Sequence, residues 1–563
     1  MTLGLHDMAL KDVKLSKLPL GKTAFENFKK LGFVYVDKTD LIAKLAQDPQ
    51  PTFLSRPRRF GKSTLIDTLE VLFSKGKEAF KGYKLYDIWE STDTYPVIHL
   101  DFSAIQVNDY QTVVDTLIKA MSEQFKKYGF DTSDVATDKY PATYFNTVLE
   151  RYNGNVVILI DEYDNLLIRA KNISDDLYKK VLELYNDLFN IIKLQSGKKS
   201  LFTFVTGILK LSQTSIFSGS NSFQDVSFNS EYSTLLGYTQ EEIHEYFDEY
   251  IENFANVNSI TKEEVYLKLK ENYNGYSFDA EAKTSVYNPW SILNCLKNPT
   301  RKFDKYWIET GSPESLLKKR YVREMNSHKL DERLKPLIEF SEKSQIFVNE
   351  KDLTSKTSID DISDISLLYQ AGFLTIKGKN DFDQLLIDYP NLEVKSCFAQ
   401  ILFEKIFKSN QATSNLSNDI GNKAYIEKIL CNGDVNAIST LFSNILRVIG
   451  YDARHELFIK ETLVTNLINC VLEVQAIQTY REKQNISGRS DLEVIIGKEK
   501  FVFEFKLADN SNEIEAKKQE AFAQIKKHHY GQDLNYPKPK QYAVIINKDA
   551  QDSNFVSVIK LEN

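Results

Sequence analysis

Four continuous apolar runs in the first 210 residues predict the strands of a buried sheet. They are PTFLS (51–55), YPVIHLDFS (95–103), NVVILIDEYD (155–164) and SLFTFVTGI (200–208). Runs that are bounded by polar residues and apolar throughout are typical of strands covered on both faces. Residues 63–73, STLIDTLEVLF, carry apolar side chains at helical spacing. The succession of strand and helix predicts an α/β fold with a parallel sheet.

The pattern becomes helical from Thr239 to about Lys297. It is interrupted by NYNGYSF (272–278) and VYNPWS (286–291), whose Gly, Asn and Pro residues favour turns. We therefore predict a small helical lid over residues 236–310, after a first domain that spans residues 1–235.

The rest of the chain is divided by two polar stretches, at 347–364 and 407–423. Between them, LLYQAGFLTI (367–376) and QLLIDYPNLEV (384–394) predict a helix followed by a two-stranded wing. We predict a helical, winged-helix-like region over 311–410. A last domain over 411–563 shows the order helix, strand, strand and helix.

Composition narrows the setting of these domains. A chain of 563 residues is too long for one hydrophobic core, and 42% hydrophobic with 26% charged residues is typical of globular proteins. The net charge of −7 limits any nucleic-acid contact to a local basic patch. The cysteines lack metal or disulfide spacing, and neither a signal peptide nor a membrane span is predicted. We expect a cytoplasmic protein that has no membrane partner.

The stretch FLSRPRRFGKSTL (53–65) follows the first predicted strand. Its end fits the phosphate-binding pattern G-x-x-x-x-G-K-[ST], with candidate nucleotide ligands Gly61, Lys62, Ser63 and Thr64. Arg56 stands where that pattern has its first glycine, and Pro57 lacks an N–H donor. Since guanidinium groups pair well with phosphate, we expect Arg58 and Arg59 to replace the missing amides. Arg56 either does the same or holds the loop.

The strand VVILIDEYD supports a nucleotide site, because Asp161 and Glu162 lie at its carboxyl end, where open α/β sheets bind ligands. We expect Ser63 and Asp161 to hold Mg²⁺, and Glu162 to polarise the attacking water during ATP hydrolysis. Thr206, at the end of SLFTFVT, is a further candidate for sensing the terminal phosphate. The alternative is that RPRRFGKS is a solvated basic turn.

Several segments together resemble the AAA-ATPase-like family of bacterial proteins. They are LPLGKTAFENFKKLGFVYVDKTDLIAKL (18–45), FLSRPRRFGKS (53–63), FVTGILKLSQTSIFSGSNSFQDVSF (204–228), YNGYSF (273–278), VYNPWSILNCL (286–296) and YWIETGSP (306–313). The resemblance implies a P-loop, AAA-like parallel sheet and a bound nucleotide, with RPRRFGKS as the family's normal loop. Relatives commonly carry a C-terminal domain of the PD-(D/E)XK nuclease superfamily.

The C-terminal sequence GRSDLEVIIGKEKFVFEFKLADN (488–510) fits such a domain. Asp491 opens one apolar strand, and Glu504 and Lys506 lie two apart on the next, so both share one face. Carboxylates that hold divalent ions activate water for phosphodiester hydrolysis, and oxygen ligands favour Mg²⁺ or Mn²⁺. We expect Asp491 and Glu504 as ligands and Lys506 as the residue that orients water. The alternative is a solvated edge with a Glu–Lys pair.

Other residues near this motif are weaker candidates. Glu461 matches by spacing a helix-borne acidic residue of some such nucleases and is a further candidate metal ligand, with a surface glutamate as the alternative. Gln524 and Tyr530 are expected on a following helix, completing an ensemble that resembles a restriction-endonuclease-like α/β domain. We expect the adjacent His528 and His529 to face solvent, because neighbouring helix positions point in different directions.

Three functions remain open. In the first, ATP binding or hydrolysis licenses cleavage of nucleic acid, which we expect to be DNA. In the second, the protein is a nucleotide-dependent interaction switch whose nuclease-like domain binds without cutting. In the third, it is a secreted effector that acts inside another cell. AAA-like ATPases often assemble into rings, so a homo-oligomer is also considered.

Overall fold

The computed structural model describes residues 17–133, 140–211, 223–307, 346–354, 362–406, 423–447, 461–485, 488–532, 536–550 and 555–562. The chain divides into two compact units, one built mainly from residues before 305 and the other mainly from residues after 385. The predicted four-domain division stays a prediction. No helix within these ranges is both long enough and apolar enough to cross a membrane.

A five-stranded parallel sheet forms the core of the first unit. Its strands are β1 (Thr52–Ser55), β2 (Val97–Asp101), β3 (Val156–Asp161), β4 (Ser200–Gly207) and β5 (Gln224–Asp225). They lie in the order β2-β3-β4-β1-β5, and all pairs are parallel. The four apolar runs are therefore confirmed as strands, and β3 is buried at every position. Because parallel strands end at one edge, the loops after β1 and β3 meet there.

Helices cover this sheet and continue beyond it. They are α1 (Phe25–Leu31), α2 (Thr39–Gln47), α3 (Lys62–Lys75), α4 (Leu85–Ile88), α5 (Tyr110–Lys127), α6 (Pro141–Arg151), α7 (Asn165–Ile173), α8 (Asp175–Ser196), α9 (Gln240–Asn258), α10 (Lys262–Tyr273) and α11 (Pro289–Lys297). The predicted helices of residues 239–297 are α9, α10 and α11. Thr239 and Thr261 begin α9 and α10 with capping boxes that satisfy exposed N–H groups.

The segment between residues 346 and 388 contains a small sheet and two helices. Its elements are β6 (Ile346–Val348), α12 (Glu350–Thr354), α13 (Asp364–Ala371), β7 (Thr375–Lys379) and β8 (Leu385–Asp388). The predicted helix and two strands are α13, β7 and β8, and β6 adds a third strand in the order β6-β8-β7. The polar stretch at 347–364 was expected only to separate domains, but its described part contains α12. Residues 355–361 lie outside the described part.

A mixed five-stranded sheet forms the core of the second unit. The elements here are α14 (Leu392–Ile406), α15 (Lys423–Asn432), α16 (Val435–Arg447), α17 (Glu461–Val474), β9 (Gln478–Asn485), β10 (Gly488–Ile496), β11 (Glu499–Ala508), α18 (Ile514–His528), β12 (Lys540–Asn547) and β13 (Val556–Lys560). The strand order is β13-β12-β11-β10-β9, with only the β11–β12 pair parallel among these described strands.

The predicted helix, strand, strand and helix correspond to α17, β10, β11 and α18, and the prediction missed β9, β12 and β13.

The two faces of β11 differ. On one face, Phe442 of α16 packs against Phe503 and Phe505, with ring centroids 5.2 and 6.2 Å away. On the other, Val502 packs with Ile525 of α18. Alternation along the strand places Glu504 and Lys506 on the Val502 face.

Candidate functional site

The first candidate site is the loop from Arg56 to Gly61, here named the arginine-rich loop, which joins β1 to α3. Gly61 ends it as the N-cap of α3 with φ 100°, a conformation that glycine adopts without strain. Arg59 also has a positive φ, 68°. Since α3 begins at Lys62, its unpaired first-turn N–H groups are directed toward this loop. A helix start of this kind favours anions.

Lys62 is buried and turned back onto its own loop. Its Nζ donates to the carbonyl oxygens of Arg56 and Pro57, at 2.9 and 3.0 Å. Burial lowers the pKa of Lys62, and the nearby carboxylate of Asp161 opposes that shift. The ammonium therefore lies at the predicted phosphate loop, while its contact with a nucleotide stays a prediction.

Ser63 and Asp161 are brought together by the meeting of the β1 and β3 ends. Ser63 Oγ donates to Asp161 Oδ2 at 2.7 Å, and Asp161 Oδ1 accepts from the backbone N–H of Glu162 at 2.9 Å. Burial raises the pKa of Asp161. Thr64 lies beside Ser63, where its carbonyl accepts from Thr68 Oγ1. A hydroxyl and a carboxylate in contact suit Mg²⁺, which takes oxygen ligands.

Glu162 follows β3 with a positive φ of 49°. Its Oε2 accepts a 2.9 Å hydrogen bond from Asn165 Nδ2, and the residue is only partly buried. The structure therefore places this carboxylate at the same sheet edge as Ser63 and Asp161. Its part in activating water stays a prediction.

The three arginines of the loop have different environments. Arg56 is 2% exposed and donates to the carbonyls of Ser55, Ser227 and Tyr232, while its guanidinium lies 4.1 Å from the centroid of the Phe278 ring. Arg56 therefore anchors the loop.

Arg58 and Arg59 are less buried than Arg56. Arg58 is partly buried, and its Nε has no hydrogen-bond partner in the described structure. Arg59 is exposed and stacks over the indole of Trp290, 4.3 Å from the ring centroid. An unpartnered guanidinium nitrogen beside buried Lys62 fits an anionic ligand such as a nucleotide phosphate.

Sequence reasoning missed Asp164. This buried carboxylate accepts hydrogen bonds from the backbone N–H groups of Ile208 and Leu209, and so ties the end of β3 to the segment after β4. A Cβ on Gly207 would lie 2.4 Å from Asp164 Oδ1, so this close approach requires glycine. The third acidic residue of DEYD (161–164) was the available clue. Thr206 donates to the Leu54 carbonyl at 2.8 Å, which links β4 to β1.

The second candidate site lies where β10 and β11 meet. The antiparallel ladder pairs Leu492 with Phe503, so Asp491 and Glu504 come next along it. Asp491 Oδ2 accepts from the backbone N–H of Phe505 at 2.8 Å. Lys506 Nζ donates to Glu504 Oε1 at 3.1 Å. The structure therefore brings the three predicted residues together.

Glu461, the first residue of α17, joins this group. Its Oε1 accepts from the backbone N–H of Leu507 at 3.3 Å, and its Oε2 lies 3.5 Å from Lys506 Nζ. Lys506 is thus held between two carboxylates from different elements. The helix-borne glutamate that spacing indicated lies beside Lys506, whatever its chemical role.

Burial and like charge control the electrostatics of this second site. Glu504 is 0% exposed, and burial together with the Asp491 and Glu461 carboxylates raises its pKa to about 8, although Lys506 opposes the shift. Burial lowers the pKa of Lys506. The carboxylates of Glu504, Glu461 and Asp491 outweigh burial and raise that pKa. Glu504 Oε2 is buried and finds no hydrogen-bond partner among the residues that the structure describes. A bound cation would satisfy this oxygen.

The donor set at this site is limited. Across the ranges that the structure describes, no group of three or more His, Cys, Asp or Glu side chains is arranged to hold a metal ion. An ion at Asp491 and Glu504 therefore needs further oxygen ligands, which water and substrate phosphate supply in sites for hard cations. The residues present fit Mg²⁺ on those terms.

The helix α18 borders the same site. It ends at His528, so Tyr530 follows the helix instead of lying on it as predicted. Tyr530 is buried and hydrogen-bonds the Gln524 side chain. His529 is exposed as predicted, but the prediction for His528 was wrong. His528 is partly buried and stacks on Tyr530 with ring centroids 5.5 Å apart, because the chain turns back at residue 529, where φ is 50°.

Two family models match the segments of the chain in which the two candidate sites lie. Residues 19–217 match the family model described as predicted AAA-ATPase, and residues 454–557 match the model of the PD-(D/E)XK nuclease superfamily. The chain is similar to an uncharacterized protein in the vnfD 5' region of Azotobacter chroococcum mcd 1, at 27% identity over 509 residues. That match covers 88% of this chain and 90% of the other protein. The two resemblances inferred from sequence motifs are confirmed.

Proposed function

We propose that this chain, in which a predicted AAA-ATPase segment precedes a PD-(D/E)XK nuclease superfamily segment, is an ATP-dependent nuclease. The observation that carries the proposal is the group formed by Asp491, Glu504 and Lys506 at the meeting of β10 and β11. Two carboxylates and a lysine on one face of two neighbouring strands suit the hydrolysis of a phosphodiester.

At the nuclease site, Asp491 and Glu504 hold Mg²⁺ or Mn²⁺. When bound, such an ion neutralises phosphate charge and lowers the pKa of water. Glu504 contributes its Oε2, which is buried and has no hydrogen-bond partner in the described part of the chain. Lys506 orients the attacking water or stabilises developing negative charge, and Glu461 keeps its ammonium in place. We propose DNA as the substrate.

At the nucleotide site, Lys62 and the first turn of α3 bind the phosphates of ATP. Ser63 and Asp161 hold Mg²⁺, since their side chains are already in contact at 2.7 Å. Arg58 supplies a guanidinium to the phosphates, and Glu162 polarises water for hydrolysis. Nucleotide occupancy then permits cleavage by the C-terminal segment.

The test is cleavage of plasmid DNA and of RNA with Mg²⁺, with and without ATP. The wild type is compared with Glu504→Gln, and Glu493→Gln is the matched control. Glu493 is also fully buried on this sheet and forms an ion pair with Lys500 at 3.3 Å. We expect Glu504→Gln to abolish cleavage, whereas Glu493→Gln keeps it if it folds. Equal cleavage by wild type and Glu504→Gln on every substrate would exclude the nuclease.

A nucleotide-dependent interaction switch is the second candidate. The observation in its favour concerns the metal ligands. Among the described residues, only Asp491 and Glu504 are left to hold an ion, because the third carboxylate, that of Glu461, is directed at Lys506. A switch binds nucleic acid without cutting it. Metal-independent DNA binding by the wild type, with no cleavage under any nucleotide condition, would favour this candidate.

A further inference from the structure

The arginine-rich loop is attached to the helical segment 239–297 on both sides of Arg59. On one side, Arg56 lies over the Phe278 ring. On the other, Phe60 packs edge-on against Tyr276 and Phe278, with ring centroids 4.8 and 5.3 Å away. The aromatic motif YNGYSF, which the proposed chemistry does not use, thus holds the loop backbone at positions 56 and 60.

Arg59 lies between these two anchors and behaves differently from them. Its side chain is exposed, its φ of 68° turns the backbone into the left-handed region, and its guanidinium lies 4.3 Å from the Trp290 ring centroid. Trp290 is the second residue of α11. The motif VYNPWS therefore contributes an aromatic face to the one loop arginine whose side chain is exposed.

Partial burial, together with the charge of Arg58, disfavours a cation at this place. Burial lowers the pKa of Arg59 and so does the charge of Arg58, while Glu162 opposes them. Trp290 is partly buried, and a cation over its ring gains only a weak electrostatic interaction where solvent still reaches the pair. A charge-assisted hydrogen bond between guanidinium and phosphate is stronger, so a phosphate within reach would take Arg59 from the indole.

We infer that the Arg59–Trp290 contact is a restraint that a nucleotide phosphate breaks, and that α11 senses nucleotide through its loss. The inference rests on the proposed nucleotide site. The indole of Trp290 holds the guanidinium of Arg59 through this contact. When phosphate binds, Arg59 donates to it and leaves the indole face, while Arg56 and Phe60 keep the loop attached to the helical segment.

The first test is a double-mutant cycle in ATP affinity, measured by calorimetry on the full chain. Trp290→Leu removes the competing interaction and should raise ATP affinity about two- to fivefold. Arg59→Ala should lower it about tenfold. In the Arg59→Ala background, Trp290→Leu should have no effect, because nothing is left to restrain. Trp290→Phe keeps an aromatic face and should bind ATP within about twofold of wild type.

The second test uses tryptophan fluorescence, since the chain has only three tryptophans, Trp89, Trp290 and Trp307. ATP with Mg²⁺ should change the emission of the wild type over the same concentration range as in calorimetry. The change should persist in Trp89→Phe and disappear in Trp290→Phe and in Arg59→Ala. Trp89 is the matched control because its ring packs against Phe73, with ring centroids 6.0 Å apart, and it takes no part in the Arg59 contact.

The outcomes separate this inference from the nucleotide site itself. If ATP binds but Trp290→Leu lowers affinity, leaves it unchanged, or acts equally without Arg59, the restraint is disproved and the site stands. An emission change on ATP binding that persists in Trp290→Phe would also disprove the restraint and leave the nucleotide site standing. If ATP does not bind to the wild type at all, the proposed nucleotide site and the restraint are both wrong.

Discussion

The hydroxyl of Ser63 donates a 2.7 Å hydrogen bond to Asp161, although the two residues lie 98 positions apart in the chain. The contact forms because parallel strands β1 and β3 end at the same edge of the sheet. Hydroxyl and carboxylate together provide two of the oxygen ligands that a magnesium ion needs. Their pairing is the geometric basis of the proposed nucleotide site.

We predict that Ser63→Ala and Asp161→Asn make ATP binding insensitive to Mg²⁺, because the first removes an oxygen ligand and the second removes the charge of the carboxylate ligand. Lys62→Ala should abolish ATP binding both with and without Mg²⁺, since the loop loses its buried ammonium. Calorimetry with and without Mg²⁺ measures both effects. Lys75→Ala, at the far end of α3 in an exposed ion pair with Glu26, is the control and should bind like wild type. Wild-type binding by Lys62→Ala would exclude the site.

Glu162→Gln should retain ATP binding and slow hydrolysis about 100-fold or more. The amide keeps the shape of the side chain and its contact with Asn165, but it cannot accept a proton from water. Phosphate release, measured with saturating ATP, reports the rate, and calorimetry reports the affinity. An unchanged rate would remove Glu162 from the proposed chemistry.

Arg56→Ala and Arg58→Ala should affect different properties, the first the stability of the fold and the second the affinity for ATP. Arg56→Ala leaves three backbone carbonyls without their donor and should destabilise the fold by about 3 kcal/mol or more. Arg58→Ala should leave the melting temperature unchanged and weaken ATP binding about tenfold. Thermal melting and calorimetry on both variants make the comparison. A stable Arg56→Ala protein would contradict the anchoring role.

Glu461→Gln should reduce DNA cleavage less than Lys506→Ala does. Glu461 acts on Lys506 over 3.5 Å, so its loss loosens the ammonium without removing it. We expect about a tenfold loss for Glu461→Gln and at least a hundredfold loss for Lys506→Ala. Cleavage rates at saturating Mg²⁺ test this order. If Glu461→Gln were instead rescued by higher Mg²⁺, Glu461 would be a metal ligand.

A charged cluster away from both sites predicts a pH dependence of stability. Burial raises the pKa of Glu70, but hydrogen bonds from His99 and Lys127 outweigh it and lower that pKa to about 2. A carboxylate with a depressed folded-state pKa stabilises the fold above its unfolded pKa, and this stability is lost as pH falls from about 4.5 toward 2.

Glu70→Gln should therefore be less stable than wild type at pH 7, by about 1 kcal/mol after allowance for solvent screening. The corresponding fall in melting temperature is about 2–4 °C, and it should shrink as the pH approaches 3. Glu26→Gln, in an exposed pair on α1, is the control and should show no such trend. A constant difference between pH 7 and pH 3 would refute the assignment.

The local features of this protein were determined by sequence alone. Continuous apolar runs predicted β1 to β4, because strands buried on both faces cannot expose polar side chains. The spacing of Glu504 and Lys506 placed them on one face of a strand, since side chains alternate along it. Motifs identified both segments that the family models match. Strands β9, β12 and β13 escaped prediction. The strand β9 is polar, and β12 and β13 follow the last element that was predicted.

Tertiary structure alone decided which of these residues meet and which are already engaged. No local pattern shows that Arg56 anchors its loop to three carbonyls, that Asp164 requires Gly207 beside it, or that Trp290 covers Arg59. The pKa of Glu504 also depends on burial and on charges brought from β10 and α17. These contacts join segments that are distant in the chain, so they exist only once the strands and helices have packed together.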